Sequence, residues 1–139
     1  MRSLNYAEIY RRKDIYKGTS RTIILISELD FGKFPERLYK ALMNSSTVYT
    51  VWDGDMLVDL TRVLDDTEML AQIHYVLVHP DYQGQGIAGK MIEYIKEKYK
   101  DFLYIEGMPE DKNNVPFYEK HGFSVMKNGA AIQICNLDK

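Results

Sequence analysis

Val78-His79-Pro80-Asp81-Tyr82-Gln83-Gly84-Gln85-Gly86-Ile87-Ala88-Gly89-Lys90 is the stretch on which the fold turns. The apolar run Met-Leu-Ala-Gln-Ile-His-Tyr-Val-Leu-Val leads into it at residues 69–78 and reads as a long strand. Pro80, which donates no ladder hydrogen bond, ends that strand. Ile87, Ala88, Met91, Ile92, Ile95 and Tyr99 then recur at helical spacing. Between the two, Gly84, Gly86 and Gly89, with Ala88, keep side-chain bulk off the junction. The backbone N–H groups of residues 85–89 can therefore converge on one ligand at a helix N-terminus, where partial positive charge favours an anion such as a pyrophosphate. The plainer alternative is a helix start whose glycines serve tight packing. A Walker A loop is excluded, because Gly89-Lys90 is followed by Met91 and not by Ser or Thr. Gly84-x-Gly86-x-x-Gly89 does match the dinucleotide fingerprint, with Glu106 following Gly89 by 17 residues. A nucleotide-binding reading stays open on that spacing.

Working outward, residues 47–52 form a strand pattern and Asp53-Gly54 a hairpin turn signal. Residues 56–64 return as a second strand, and Asp65-Asp66-Thr67 turns the chain into the strand at 69–78. The three make an antiparallel meander, and so long a meander ahead of the glycine loop speaks against a Rossmann order. Downstream, 102–105 is a short buried-type strand and 113–120 a short helix stopped at His121-Gly122. Closing strands are expected at 123–125 and 131–134. Strand, loop, helix and strand at this spacing imply a parallel crossover joined to the meander, an α/β (α+β) chain. Near the N-terminus, 5–10 is expected as a strand and Arg11-Arg12-Lys13 as a solvated basic face. Residues 20–29 carry signals for both strand and helix, and 35–43 is a helix with Pro35 in its first turn.

The chain has 139 residues, 45% apolar and 27% charged, with 11 Tyr, 5 Phe and 1 Trp. That is the mix of a soluble globular protein, and the length suits one domain spanning 1–139. Eighteen basic and twenty acidic side chains give a formal charge of −2, so no nucleic-acid partner is expected. The longest apolar run, Ile23-Ile24-Leu25-Ile26, is far short of a membrane span, and no membrane partner is expected. No signal peptide is read at the N-terminus, and the lone Cys135 forms no internal disulfide, so the expected location is cytoplasmic. Three scattered histidines give no zinc spacing, and no metal is expected.

Residues 78–88 resemble the acetyl-CoA loop of the GNAT superfamily of N-acetyltransferases. Its Gln/Arg-x-x-Gly-x-Gly/Ala signature is filled in order by Gln83, Gly86 and Ala88. Phe117-Tyr118-Glu119-Lys120-His121-Gly122-Phe123 is similar to the family's Phe/Leu-Tyr-x-Lys-x-Gly-Phe segment. The likeness covers about residues 47–123, and two ordered motifs are far more specific than either alone. It implies a mixed, mostly antiparallel sheet with a central splayed parallel pair and helices on both faces, and it favours helix at 20–29. It also implies acetyl-CoA as cofactor. Pantetheine would pair with the backbone near Leu77 and Val78, and the pyrophosphate would meet Gln83, Gly84, Gln85, Gly86, Ile87, Ala88 and Gly89. The acceptor would be an amine of a small molecule or peptide, attacked directly in a ternary complex. Dimers are frequent in the family, so a homodimer is an open expectation. A non-catalytic CoA-binding or sensing module of the same fold is the alternative.

For chemistry, Tyr118 matches the family's general acid; its bland reading is a core aromatic. On a regular strand Gln72, His74, Val76 and Val78 share one face. Many relatives carry a glutamate base where Gln72 stands, and glutamine takes no catalytic proton. The family's aromatic-amine branch carries histidine at the place of His74, which titrates near neutrality; a satisfied core histidine weighs equally. Asp111 occupies the position of a pantetheine-contacting asparagine, so Asn113 or Asn114 is expected to substitute, and one of them to cap the helix. His79 is expected at the surface and Cys135 in the core of the last strand. Trp52 and Tyr75 are read chiefly as core. The acids Asp53, Asp55, Asp59, Asp65, Asp66 and Glu68 are read as turn residues more than as bait for a cationic amine.

Overall fold

The computed structural model describes residues 4–8, 35–109 and 111–137. The basic cluster 11–13, the ambiguous segment 20–29 and the end of the first expected strand lie outside them. Four consecutive antiparallel strands are β1 (Asn5–Glu8), β2 (Thr47–Asp53), β3 (Met56–Asp65) and β4 (Leu70–Val78), and β5 (Tyr104–Gly107) adds parallel to β4. The described helices are α1 (Pro35–Met43), α2 (Ile87–Lys98) and α3 (Val115–Lys120). The mixed sheet with one parallel pair is the class expected from the sequence. A sheet with a single parallel pair also lacks the doubly wound frame that a dinucleotide fingerprint requires.

One apolar layer fills each face. Ile87, Met91, Ile92, Ile95 and Tyr99 of α2 and its end pack on Val51, Val58, Val63, Ala71 and Ile73. On the other face Leu38 and Leu42 of α1 pack on Val48, Leu57, Leu60 and Tyr75. Trp52 packs against this second layer, its Nε1 donating to Thr50 Oγ1 at 2.9 Å, so both it and Tyr75 are core residues. The Asp53-Gly54 turn forms as expected, with Gly54 at φ +57°.

Two irregularities reset which residues share a face. In the β2–β3 register Val51 pairs with Asp59 but Trp52 with Leu57, leaving Val58 extra. In β3–β4, Arg62 pairs with Tyr75 but Val63 with Ile73, leaving His74 extra. Strict alternation therefore fails in β4. Ala71, Ile73, Val76 and Val78 pack toward α2, while Tyr75 and Leu77 pack toward α1. Gln72 and His74 do not share a face with Val76 and Val78, because a bulge shifts the phase by one residue.

Other expectations are corrected in the C-terminal third. β5 starts at Tyr104, two residues later than read, because Phe102 is used to cover Tyr99 edge-on at 4.9 Å. No strand forms at 123–125 or 131–134; among the described residues the chain beyond α3 has no regular structure. Cys135 is accordingly exposed and not a core residue.

Candidate functional site

β4 and β5 pair only from Leu70↔Tyr104 to Ile73↔Gly107. β5 stops there, but β4 runs on to Val78. The strands part at the His74 bulge, and residues 75–78 keep β3 on one edge with no β5 partner on the other. An unpaired strand edge is a template for an extended ligand. It faces the gap that the family likeness implies, beside Leu77 and Val78.

The glycine loop closes one end of that gap. A 3₁₀ turn at Pro80–Tyr82 follows β4, and His79 Nδ1 caps it by accepting from Asp81 N at 3.1 Å. That role draws the His79 ring largely inside, contrary to the surface position expected. Tyr82 is buried and donates its hydroxyl to Asp53, tying the loop to the β2–β3 turn. Gln83 Nε2 donates to Val78 O at 3.3 Å, so Gln83 folds back onto the open end of β4.

Gly84 and Gly86 adopt φ +78° and +80°, and a Cβ at either would meet no protein atom within 4 Å. The protein therefore needs glycine there for backbone conformation, and leaves open space above it. Gly86 is the left-handed N-cap of α2 and makes no side-chain cap bond. Lys90 N–H is the first to return, to Gly86 O at 3.1 Å. Helix geometry leaves the N–H groups of Ile87, Ala88 and Gly89 with no carbonyl four residues back within the helix. Open space over glycines in an anion-favouring dipole fits a pyrophosphate.

Gly89 differs. It lies inside the first turn of α2, where a Cβ would come within 3.2 Å of His121 Nε2 and 4.0 Å of Phe117. Its missing side chain lets α3 approach α2. His121 Nδ1 and Glu93 Oε1 lie 2.8 Å apart and lock that contact; His121 is also the main reason the Glu93 carboxyl sits below its usual range. The contact places Tyr118, adjacent to Phe117, against the α2-side layer that also holds Val76, Val78 and Ile105. Tyr118 packs edge-on to Phe117 at 5.1 Å and to Phe123 at 5.6 Å. Burial pushes its pKa up, so its hydroxyl keeps its proton at neutral pH.

His74 is exposed on the bulge. Arg62 Nη1 lies 2.9 Å from its Nδ1, and a guanidinium can only donate. Nδ1 is therefore the acceptor, and the neutral ring carries its proton on Nε2. Arg62 is fixed in turn by Nε donation to Ser45 Oγ at 2.8 Å and by lying over the Tyr75 ring. Gln72 is exposed on the same strand. Asp111 caps the 3₁₀ turn Lys112–Asn114 by accepting from Asn113 N at 2.9 Å, whereas Asn114 is exposed and makes no side-chain cap bond.

The turn acids have structural work. Asp66 accepts from the N–H groups of Glu68, Met69 and Leu70, which hold its pKa down. Asp65 accepts from Tyr99 and Thr67. Asp59 is no turn acid: it is fully buried in β3 opposite Val78. Its Oδ1 accepts from Thr61 at 2.9 Å and its Oδ2 has no partner, and burial pushes its pKa to about 7. The sequence signal for this was an acid inside the strand pattern 56–64 and not at a turn.

Residues 44–125 match the family model of the GNAT acetyltransferase domain. An uncharacterised ycf52-like N-acetyltransferase of Prochlorococcus marinus is 28% identical over 115 residues, covering 76% of this chain and 62% of its own. An uncharacterised ycf52 N-acetyltransferase of Gracilaria tenuistipitata is 34% identical over 92 residues, covering 64% and 50%. The chain thus spans between 50% and 62% of the length of these curated relatives. A GNAT family acetyltransferase of Streptococcus pneumoniae superposes with a TM-score of 0.74 at 25% identity, covering 96% of this chain and 97% of that one. A predicted acetyltransferase of Clostridium acetobutylicum, solved with acetyl-CoA, shares the fold at a TM-score of 0.68 and 20% identity, covering 94% and 96%.

Proposed function

The chain belongs to the GNAT family of acetyltransferases, and from that premise we propose that it moves an acetyl group from acetyl-CoA to a primary amine of a small molecule or peptide, by direct attack in a ternary complex. The observation that carries the reading is the open half of β4 running into a glycine cradle at the start of α2. Val78 offers its edge amide to an extended pantetheine, with Leu77 beside it. Gln83 shapes the loop, and the N–H groups of residues 84–89 receive the pyrophosphate. Asn114, with its amide uncommitted to a cap, is the α3-side contact. Acetyl-CoA, when bound, supplies the thioester carbonyl that the amine attacks.

Tyr118 Oη holds a proton for the departing sulfur, and its raised pKa keeps that proton in place until it is needed. Proton removal from the amine falls to water in the gap. His74 accepts at Nδ1 only after Arg62 lets go, which makes it a lining residue before it is a base. No metal takes part in this scheme, and a cytoplasmic setting and a whole-chain domain at 1–139 complete the reading. Among the described residues no helix is long and apolar enough to cross a membrane.

The engaged Nδ1 of His74, with Gln72 beside it, also favours a second reading, a CoA-binding module without turnover. Calorimetric titration with acetyl-CoA, with ATP and NAD as controls, tests the shared part; no binding to folded protein overturns both. Against a panel of amines, Tyr118→Phe is expected to bind acetyl-CoA unchanged and lose ~10²–10⁴-fold in turnover. His74→Gln is expected to keep turnover within about tenfold, since a base would cost at least ~10²-fold. A folded, CoA-binding wild type inactive on every amine would leave the sensing module.

A further inference from the structure

The carboxylate of Glu106 stands one rung short of the point where β4 and β5 part. In their parallel register Gln72 pairs with Glu106 and Ile73 with Gly107, and the pairing ends there. Ala71, Ile73 and Ile105 pack toward α2. Strand alternation turns Gln72 and Glu106 to the opposite face, the one that Leu38 and Leu42 of α1 cover further along the sheet. β5 ends at Gly107, so Glu106 is the last residue it sets on that face. Glu106 is half-buried and Gln72 exposed. His74 lies on the same side, with its ring 4.1 Å from the Tyr75 ring between centroids and its Nδ1 2.9 Å from Arg62 Nη1. Tyr118 stands on the α2 side of the same gap, with Val76, Val78 and Ile105. The gap therefore has a proton donor on one face and Gln72, His74 and Glu106 on the other.

An acceptor amine with a pKa of about 10 is an ammonium at neutral pH, and it must lose a proton before its lone pair can attack. The three side chains differ in what they can take. The Gln72 amide is not basic. His74 Nδ1 is held by the Arg62 guanidinium, which leaves the ring proton on Nε2. An ionised Glu106 has acceptor oxygens and no donor. Its neighbour across the rung is the neutral Gln72, on a strand ~4.8 Å away, so no like charge opposes the carboxylate from that position.

We propose that Glu106 takes the proton given up by the acceptor amine, through the water in the gap. The inference rests on the acetyl-transfer reading of this site and names the proton acceptor within it. The ammonium passes one proton through the water to the Glu106 carboxylate. The freed nitrogen pair forms the C–N bond at the thioester carbon, and the C–S bond breaks as the carbonyl re-forms. Tyr118 Oη gives its proton to the sulfur and recovers one through water from the nitrogen, which sheds its second. Glu106 then releases its proton to solvent. Donor and acceptor work from opposite faces of the sheet, and neither has to move across it.

Glu106→Gln is expected to keep the wild-type circular dichroism spectrum and the calorimetric affinity for acetyl-CoA. Its calorimetric affinity for the amine, with CoA present, is expected within about tenfold of wild type, while kcat falls ~10²–10⁴-fold. Gln72→Glu in that background sets a carboxylate one strand away and is expected to recover at least tenfold of the loss. Turnover within tenfold of wild type in Glu106→Gln overturns the proposal, and a retained loss in Tyr118→Phe then leaves acetyl transfer itself standing. An amine affinity that falls as far as turnover also overturns it, because Glu106 would then attract the cation and move no proton. A loss that Gln72→Glu does not recover overturns it as well. Should Glu106→Gln fail to fold, Glu106→Asp decides: a carboxylate one methylene short is expected to cost about tenfold or more in kcat, and full turnover overturns the placement. A wild type that binds acetyl-CoA and acetylates no amine removes the reading beneath the proposal and the proposal with it.

Discussion

Residues 70–73 and 75–78 are the two halves of β4, and they are treated differently on every side. The first half is paired on both edges, by β3 and by β5; among the described residues the second is paired by β3 alone. Behind the first half, Asp65 stands opposite Ala71 with both carboxylate oxygens used. Tyr99 donates to Oδ2 at 2.7 Å while accepting from Thr47 at 2.6 Å, and Thr67 N donates to Oδ1 at 2.9 Å. Behind the second half, Asp59 stands opposite Val78 with one oxygen unpartnered and no solvent. The His74 bulge separates the two regimes. The difference sets an acid with both oxygens hydrogen-bonded behind the closed half against an acid with one unmet oxygen behind the open half.

Removing the unmet carboxylate gives the largest expected effect. A carboxyl raised from 3.8 to about 7 keeps its proton in the folded chain where the unfolded chain releases it. Stability is thus present at acid pH and falls as pH rises between about 4 and 7, by on the order of 4 kcal/mol once both states are ionised. Asp59→Asn is expected to abolish that slope, because the amide stays neutral at every pH as the protonated acid does below pH 4. Chemical denaturation at pH 4, 6 and 8 reads it. The slope is the diagnostic, since a buried amide brings unmet donors of its own. A wild type equally stable at pH 4 and 8 breaks the contrast between the two acids.

The cradle at the end of the open half comes next. Gly86 at φ +80° forces a β-branched residue into the left-handed region, at roughly 1–2 kcal/mol, and Val adds bulk to the open space that the proposed acetyl-CoA would fill. Gly86→Val is expected to weaken acetyl-CoA binding by about 10²-fold or more, by calorimetry, while shifting the melting temperature only modestly. Unchanged affinity would remove the loop from the site.

Much of this contrast was legible in the residues. The alternation at 47–52 and 56–64, the Asp53-Gly54 turn and the stripe from Ile87 to Tyr99 each announce an element that forms within a residue or two. The glycine loop announced a strand-to-helix junction, and it is one. Bulges were not legible: no Gly or Pro stands at or beside Val58 or His74 to announce the extra residue. Face assignments downstream of His74 therefore inverted. The pairing of Arg62 with His74 was hidden for the same reason, because it joins positions 12 apart across a register set by the bulge. Residues 131–134 have the pattern of a strand and, among the described residues, none of its pairing, since pattern reports what a segment can bury and not whether a partner strand is there.

The smallest expected effect separates two glycines that the sequence presents as one motif. Gly86 has open space and a forbidding φ; Gly89 has ordinary helical backbone and a neighbour, with His121 Nε2 and Cε1 at 3.2 and 3.3 Å from a would-be Cβ. His121 is held by Glu93 and stacked edge-on against Phe117, so it yields poorly. Gly89→Ala is expected to cost about 1 kcal/mol, the penalty for overpacking exceeding the gain in helix propensity of ~0.5–1 kcal/mol. In a His121→Ala background the clash is gone, and the same substitution should be neutral or stabilising, a coupling that a double-mutant cycle in chemical denaturation reads directly. Acetyl-CoA affinity should stay near wild type throughout, with any loss in turnover following the displacement of α3 and Tyr118. A fall in affinity at Gly89→Ala as large as at Gly86→Val would mean that the cradle needs the missing side chain of Gly89 as well as its N–H, and that the two glycines do not divide the labour.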